Sequence, residues 1–259
     1  MYKIGLSSCG KALNEALFAQ YAEQGIEAIE ISPQWPDYKT LNYEELKRLS
    51  DKYGIELWSY HLPFQVPDIS TADAPWRLNS VEYMCEHIKQ ASLIGIHKFV
   101  IHPSMELGKD ANKAERMGYA KDSLNKLADF AALYDSVICV EDLPRNNLGN
   151  CSDDILELLS ANDKLRACFD TNHLLGEDYV TFIRRVGGKI ATLHVSDYDF
   201  VDERHWLPGE GKIDWNKLIG ALQDVGYTGV WMYEISRSLD DTDYVQNAKT
   251  LFENYAKGG

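Results

Sequence analysis

A chain of 259 residues with 26 Lys and Arg against 40 Asp and Glu carries a formal charge of −14. That excess of acid argues against a polyanionic partner, because gripping phosphates takes clustered Lys and Arg; it suits a soluble protein handling a small, neutral or metal-chelated ligand. Hydrophobic residues make up 45% of the chain, enough for a large core, and five cysteines without a C-x-x-C pair point to a reduced cytoplasmic protein rather than a disulfide or zinc framework. No apolar run approaches a membrane span.

Eight strand-then-helix units follow one another with no Ser- or Pro-rich linker. Strand one, 3–7, leads to a helix through Asn14, Leu17, Phe18 and Tyr21 that stops at Gly25. Strand two, 27–32, precedes a helix from Asn42 through Leu46 and Leu49 to Gly54. Strand three, 55–60, runs into His61-Leu62-Pro63; a loop with Pro67, Asp73 and Pro75 then opens a helix ending at Gly95. Strand four, 98–101, ends at His102-Pro103, and its helix covers about 111–134. Strand five, 137–140, ends at Glu141-Asp142, and Ser152 or Asp153 caps a short helix through Ile155, Leu156 and Leu159. Strand six, 165–169, ends at Asp170 and feeds a helix through Tyr179, Phe182 and Ile183 to Gly187. Strand seven starts at Ile190 and, as its signal fades, exposes His194, Asp197 and Asp199 before a polar loop with His205 and a Pro-Gly-Glu-Gly turn at 208–211. Asp214 caps the next helix, led by Trp215, Leu218, Ile219 and Leu222. Strand eight, 230–233, ends at Glu234, and a last helix runs from about Asp241 to Tyr255.

Such alternation predicts a parallel sheet with right-handed crossovers. Eight units in a chain near the usual ~250 residues predict closure into one (β/α)8 TIM barrel as a single domain, 1–259. An open dinucleotide-binding sheet would need G-x-G-x-x-G after strand one, where this chain reads SSCGKAL.

Strands three to eight end in His61, His102, Glu141, Asp170, His194 and Glu234. In a parallel barrel those ends open on one face, where enzymes of this architecture keep their active sites. Of seven histidines, His61, His102, His173 and His194 fall at or just past strand ends and His205 lies in the loop after strand seven; His87 and His97 sit elsewhere. A single acid at a strand end commonly just caps a helix or meets water. Three carboxylates converging on one small space repel unless a cation neutralises them. Glu141, Asp170, His194 and Glu234 are therefore read together as ligands of a divalent metal, and this mix of donors suits Mn²⁺, Mg²⁺, Co²⁺ or Zn²⁺.

The motifs VICVEDLP with Glu141, FDTNH with Asp170 and His173, LHVSD with His194, then HWLPGEGKIDW, and VWMYEIS with Glu234 occur in that order. With them the chain resembles the xylose isomerase-like TIM-barrel superfamily, the sugar phosphate isomerase/epimerase group that shares its fold with AP-type endonucleases. The resemblance implies one metal ion held by Glu141, Asp170, His194 and Glu234. It also implies that Glu141 and Glu234 act as acid and base on a sugar carbon, one removing a proton to give an enediolate and the other returning it. His173, in the D-x-x-H pattern, is implied to line the substrate pocket. Relatives also keep histidines on strands three and four and in the H-x-x-P-G-x-G loop, which adds His61, His102 and His205 as candidates for substrate contact. Trp35, Tyr60, Phe64 and Trp206 lie near strand ends and loops, where aromatics pack on a sugar's apolar face. The expected function is a divalent-metal-dependent sugar isomerase or epimerase acting on a small ketose or related polyol. A metal-dependent sugar or cyclitol dehydratase is the alternative, and a homo-oligomer is left open.

Two stretches depart from the resemblance. Ketose 3-epimerases of this group carry a second substrate-binding acid soon after the strand-five glutamate, where this chain has Arg145, Asn146 and Asn147. They also place an arginine soon after the strand-seven histidine, where Phe200 stands and Arg204 follows. AP-type endonucleases, which hold three zinc ions, have histidines matching His61, His102, His173, His194 and His205, and Glu203 stands where they use aspartate. The charge of −14 and the lack of Arg/Lys-rich loops weigh against a zinc phosphodiesterase that grips a duplex.

Overall fold

The computed structural model describes residues 2–64, 66–235 and 242–258. Its strands are β1 (Ile4–Ser7), β2 (Ala28–Ile31), β3 (Glu56–His61), β4 (Lys98–Ile101), β5 (Val137–Glu141), β6 (Arg166–Asp170), β7 (Ile190–His194) and β8 (Trp231–Tyr233). They form one sheet in the order β7-β6-β5-β4-β3-β2-β1-β8. The ring closes where Val195, just past β7, pairs in parallel with Tyr233, and its N–H donates to the Met232 carbonyl at 2.8 Å. The fold is the (β/α)8 barrel that the alternation predicts.

Its helices are α1 (Glu15–Glu23), α2 (Tyr43–Tyr53), α3 (Ala74–Leu93), α4 (Lys113–Ala132), α5 (Ser152–Leu159), α6 (Tyr179–Val186), α7 (Trp215–Asp224) and α8 (Tyr244–Gly258). Asn14, Asn42, Asp73, Asn112, Asp178 and Asp214 each accept a backbone N–H from the first turn of their helix, which satisfies an otherwise orphaned donor. The expected cap of α5 is corrected. Cys151 holds the cap position without a side-chain bond, while the N–H and Oγ of Ser152 each donate to Glu177 at 2.6 Å. An acid from the next unit thus serves this helix N-terminus, and Asp153 pairs instead with Arg185. The last helix follows Asp243, which accepts the Gln246 N–H at 2.8 Å; Asp241, its expected start, lies outside the described residues.

Side chains alternate across a strand, so residues two apart share a face. Below the strand ends the barrel interior is filled by two clusters of apolar residues. Ala28 packs with Val230 and Met232, and Val100 with Cys139 and Cys168. One step up each strand, the same face carries Glu30, His102, Glu141, Asp170 and Glu234. Two register shifts complete the ring. One lets Ser59 rather than Trp58 stand opposite Glu30, and the other sets Thr192 opposite Cys168 and His194 opposite Asp170. A shift of this kind re-aims a side chain that strict alternation would turn outward.

The loop after β7 is organised by Asp197, which is fully buried, contrary to the exposed position expected from sequence. Its Oδ1 accepts the N–H groups of Tyr198 and Ile213 at 2.9 and 3.2 Å. Its Oδ2 accepts Gly209 N–H at 2.8 Å and the Trp215 indole N–H at 3.0 Å. A buried carboxylate with four donors replaces its lost hydration, and here it fastens the Pro-Gly-Glu-Gly turn to the start of α7. A Cβ on Gly211 would land on Asp197 Oδ1 and the Tyr198 carbonyl. Gly211→Ala is therefore expected to destabilise the fold by about 1–3 kcal/mol, the usual scale for forced overpacking. A urea midpoint within error of the wild type would refute this account of the turn.

Candidate active site

The ends of β5 to β8 bring Glu141, Asp170, His194 and Glu234 together, with one ligand atom from each inside a 4.8 Å span. His194 is central and, contrary to the exposure expected from sequence, fully buried, because the other strand ends and Glu30 close around it. Its Nδ1 lies 2.9 Å from Glu141 Oε1, 3.1 Å from Glu234 Oε2 and 3.8 Å from Asp170 Oδ2. Its Nε2 lies 3.0 Å from Glu30 of β2, a fully buried acid that the strand-end pattern does not pick out. A lone acid inside the apolar run AIEI was the available signal, since an acid is almost never fully buried without partners.

His61 Nε2 and His102 Nε2 both approach Glu141 Oε2, at 3.2 and 3.1 Å. His173 Nδ1 donates to the Asp142 carbonyl at 2.7 Å, which turns its Nε2 to within 3.7 Å of Asp170 Oδ2 and 3.8 Å of Glu203. His205 lies beside it, with Nδ1 at 3.2 Å from the Glu234 carbonyl. Among the described residues, His61, His102 and Glu141 form a second candidate metal group, and His173, Glu203 and His205 a third.

These groups line an open cavity of about 460 Å³ together with Phe64, Arg145 and Asn147. The Phe64 ring packs at a tilt against both His61 and His102, with centroids at 4.7 and 4.6 Å. Arg145 is tied to Asp202 at 2.5 Å and to Glu203 at 3.1 Å, bridging the loops after β5 and β7. Trp206 is not among the lining residues; its backbone pairs with Asp197. Tyr60 is buried and hydrogen-bonds His87 Nδ1 at 2.9 Å, while Trp35 packs against Tyr83. Phe200 packs against Tyr179 and Tyr198, and Arg204 is held by Asp199. An equally large crevice lined by Tyr2, Tyr227, Phe252 and Tyr255 contains no acid or imidazole.

Burial and neighbouring charges pull these groups in opposite directions. Burial disfavours the charge on Glu141, but the imidazoles of His194 and His102 outweigh it and hold the carboxyl well below its usual range. The same contest, decided by His194, lowers Glu234. Burial and the charge of Glu234 push Asp170 well above the usual range. Burial works against an imidazolium at His194, yet the adjoining Cys168 sulfur and the carboxylates of Glu234, Glu30 and Glu141 raise it well above an ordinary histidine. For His61 the bond to Glu141 overcomes burial and raises the ring, whereas at His102 burial prevails and lowers it.

The donor set fits a divalent metal on two observations. Asp170 Oδ1 accepts the Asn172 N–H at 2.7 Å, but its buried Oδ2 has no hydrogen-bond partner. His194 Nδ1, with the opposite nitrogen facing Glu30, looks onto carboxylate oxygens of Glu141, Asp170 and Glu234. Three carboxylates and one imidazole around an open side make an oxygen-rich site of the kind that takes Mn²⁺, Mg²⁺, Co²⁺ or Zn²⁺.

The family model for xylose isomerase-like TIM barrels matches residues 18–254. The chain belongs to that family. Among curated relatives, fructoselysine 3-epimerase from Escherichia coli is 24% identical, with 90% of each chain covered. D-psicose 3-epimerase from Ruminiclostridium cellulolyticum is 25% identical over 83% of this chain and 77% of its own. The crystal structure of a D-tagatose 3-epimerase-like protein superposes with a TM-score of 0.88 at 24% identity, covering 99% of both chains, and so shows the same fold. Among the described residues no helix is long and apolar enough to cross a membrane.

Proposed function

We propose that this protein is a divalent-metal-dependent ketose isomerase or epimerase that moves a proton at a carbon beside a carbonyl. The observation carrying this reading is the meeting of Glu141 and Glu234 with Asp170 and His194 inside 4.8 Å, with both glutamates lining an open cavity. The names of both curated relatives, a fructoselysine and a D-psicose 3-epimerase, support it.

When bound, the metal ion supplies Lewis-acid polarisation of the substrate oxygens. The two glutamates are the proton carriers. They come from β5 and from the end of β8, so they reach a bound sugar from different directions; one removes the proton, and the other returns it to the opposite face or a neighbouring carbon. His61 and His102 fix the orientation of Glu141 through its Oε2. Glu234 is the more open of the pair, with its side chain 17% exposed against 1% for Glu141. His173, His205 and Asn147 line the same cavity, where they can bind hydroxyls, and Phe64 supplies an apolar wall. The partner in this reading is a small sugar, and the protein is cytoplasmic.

Incubating the Mn²⁺-loaded protein with D-fructose, D-psicose or fructoselysine in deuterated water tests the reaction class. Solvent deuterium is expected at the reacting carbon of the sugar that turns over. Product formed without deuterium would exclude an exchanging enediolate and point to hydride transfer or a shielded proton.

A second reading, a three-metal phosphodiesterase, rests on the gathering of His61, His102 and Glu141 and of His173, Glu203 and His205 around the central four. Against it, Arg145 and Arg204 are both neutralised by acids rather than offered to phosphates. Elemental analysis separates the two. One metal ion per chain is expected, whereas three, together with salt-sensitive binding to abasic-site DNA, would favour the phosphodiesterase.

A further inference from the structure

Glu30 touches no part of the cavity; it stands behind His194, on the far side of the imidazole from the three ligand carboxylates. Three donors converge on its carboxylate: Ser7 Oγ at 3.1 Å, Ser59 Oγ at 2.8 Å and His194 Nε2 at 3.0 Å. All four residues are fully buried, so no water competes for these bonds. Ser59 reaches this position only because the β2–β3 register shifts between Ile29 and Glu30. Three strands, β1, β3 and β7, therefore each contribute one donor side chain to the single carboxylate that β2 carries.

A neutral imidazole carries its proton on one nitrogen, and the nitrogen without it is the one able to bind a metal. An acceptor fixed behind Nε2 keeps the proton there and leaves the Nδ1 lone pair facing Glu141, Asp170 and Glu234. We propose that Glu30 is a positioning residue. It locks His194 in the Nε2–H tautomer and sets the ring angle that aims Nδ1 at the metal, while Ser7 and Ser59 hold the Glu30 carboxylate in place. The inference rests on the reading of His194 as a metal ligand. Outer partners of this kind typically govern metal affinity by about 10–100-fold.

The experiment compares Mn²⁺ affinity, by titration of the metal-stripped protein, for wild type, Glu30→Leu, Glu30→Gln and the double variant Ser7→Ala/Ser59→Ala. Circular dichroism establishes folding. Glu30→Leu removes the acceptor and is expected to weaken Mn²⁺ binding about 10–100-fold. Glu30→Gln retains an accepting oxygen and is expected to recover most of that loss, which a merely structural role would not produce. In the Zn²⁺-loaded wild type, nitrogen-15 spectra are expected to show the His194 Nε2 proton, slow to exchange. Should Glu30→Leu fail to fold, the serine double variant, which keeps Glu30 but loosens it, must still lower affinity measurably. Asp170→Asn separates the two layers of the argument. If Asp170→Asn loses Mn²⁺ but folded Glu30→Leu or the serine variant binds it like wild type, the positioning role is overturned and the metal site stands. If Asp170→Asn also keeps wild-type affinity, the metal assignment itself falls.

Discussion

Glu141→Gln and Glu234→Gln are each expected to lower turnover of a ketose by ~10²-fold or more, the usual scale for general acid–base groups, while retaining some bound metal. Gln keeps an oxygen that can coordinate but has no carboxylate to accept a proton. The two losses should appear mainly in kcat, because the hydroxyl contacts of the cavity are untouched. Their surroundings differ in a way that can be read out. Glu141 is wedged among His61, His102 and His194, so an amide there must turn an N–H₂ toward at least one imidazole and disturb its neighbours. Glu234, more open and beside His194 alone among those rings, should tolerate the exchange with less structural change. Steady-state rates with metal content measured on the same samples decide the matter. Full metal with turnover inside tenfold of wild type, in either variant, would remove that glutamate from the chemistry.

Much of this site is legible in the sequence because barrel geometry converts a linear pattern into a ring. Once eight apolar runs are found, the residue ending each run is delivered to the same face, whatever its distance along the chain. Three strands extend one residue beyond their apolar runs, and for one reason. His61, Glu141 and Asp170 end the apolar signal, yet the hydrogen-bonded ladder continues through them. The metal-competent residues are therefore parts of the strands and inherit their rigidity, which favours a precisely held site.

What the pattern hid was set by tertiary contact. Glu30 sits inside a strand rather than at its end, and its partners Ser7, Ser59 and His194 lie far off in the chain. Asp197 resembles an exposed loop acid until the turn folds back and supplies its donors. The α5 cap is hidden in the same way, since Glu177 arrives from beyond β6. Local rules rank Ser152 and Asp153 as caps, but they carry no information about an acid brought by another unit. The register shifts beside Glu30 and Cys168 belong to the same class, because nothing in ELWSYH or IATLH alone says where the partner strand slips.

Asp170→Asn is expected to strip the bound metal while leaving a folded barrel, and His194→Ala to do the same. Asp170 Oδ1 is already spent on the Asn172 N–H, which leaves the unpartnered Oδ2 as the oxygen it can offer a metal. Asn keeps an oxygen for the first role and places an N–H₂ at the second, aimed at the space shared with Glu141, Glu234 and His173. A divalent ion there loses a charged ligand and meets a donor, whereas the metal-free protein gains one for carboxylates that otherwise repel. Affinity and metal-free stability should therefore move in opposite directions. In the wild type a chelator should lower the melting temperature, since an ion bound only by the folded state stabilises it by mass action. In Asp170→Asn the melt should be indifferent to chelator and no lower than that of the stripped wild type. Elemental analysis showing full metal after dialysis, or a chelator-sensitive melt in the variant, would move the ion away from Asp170 and undo the four-ligand assignment.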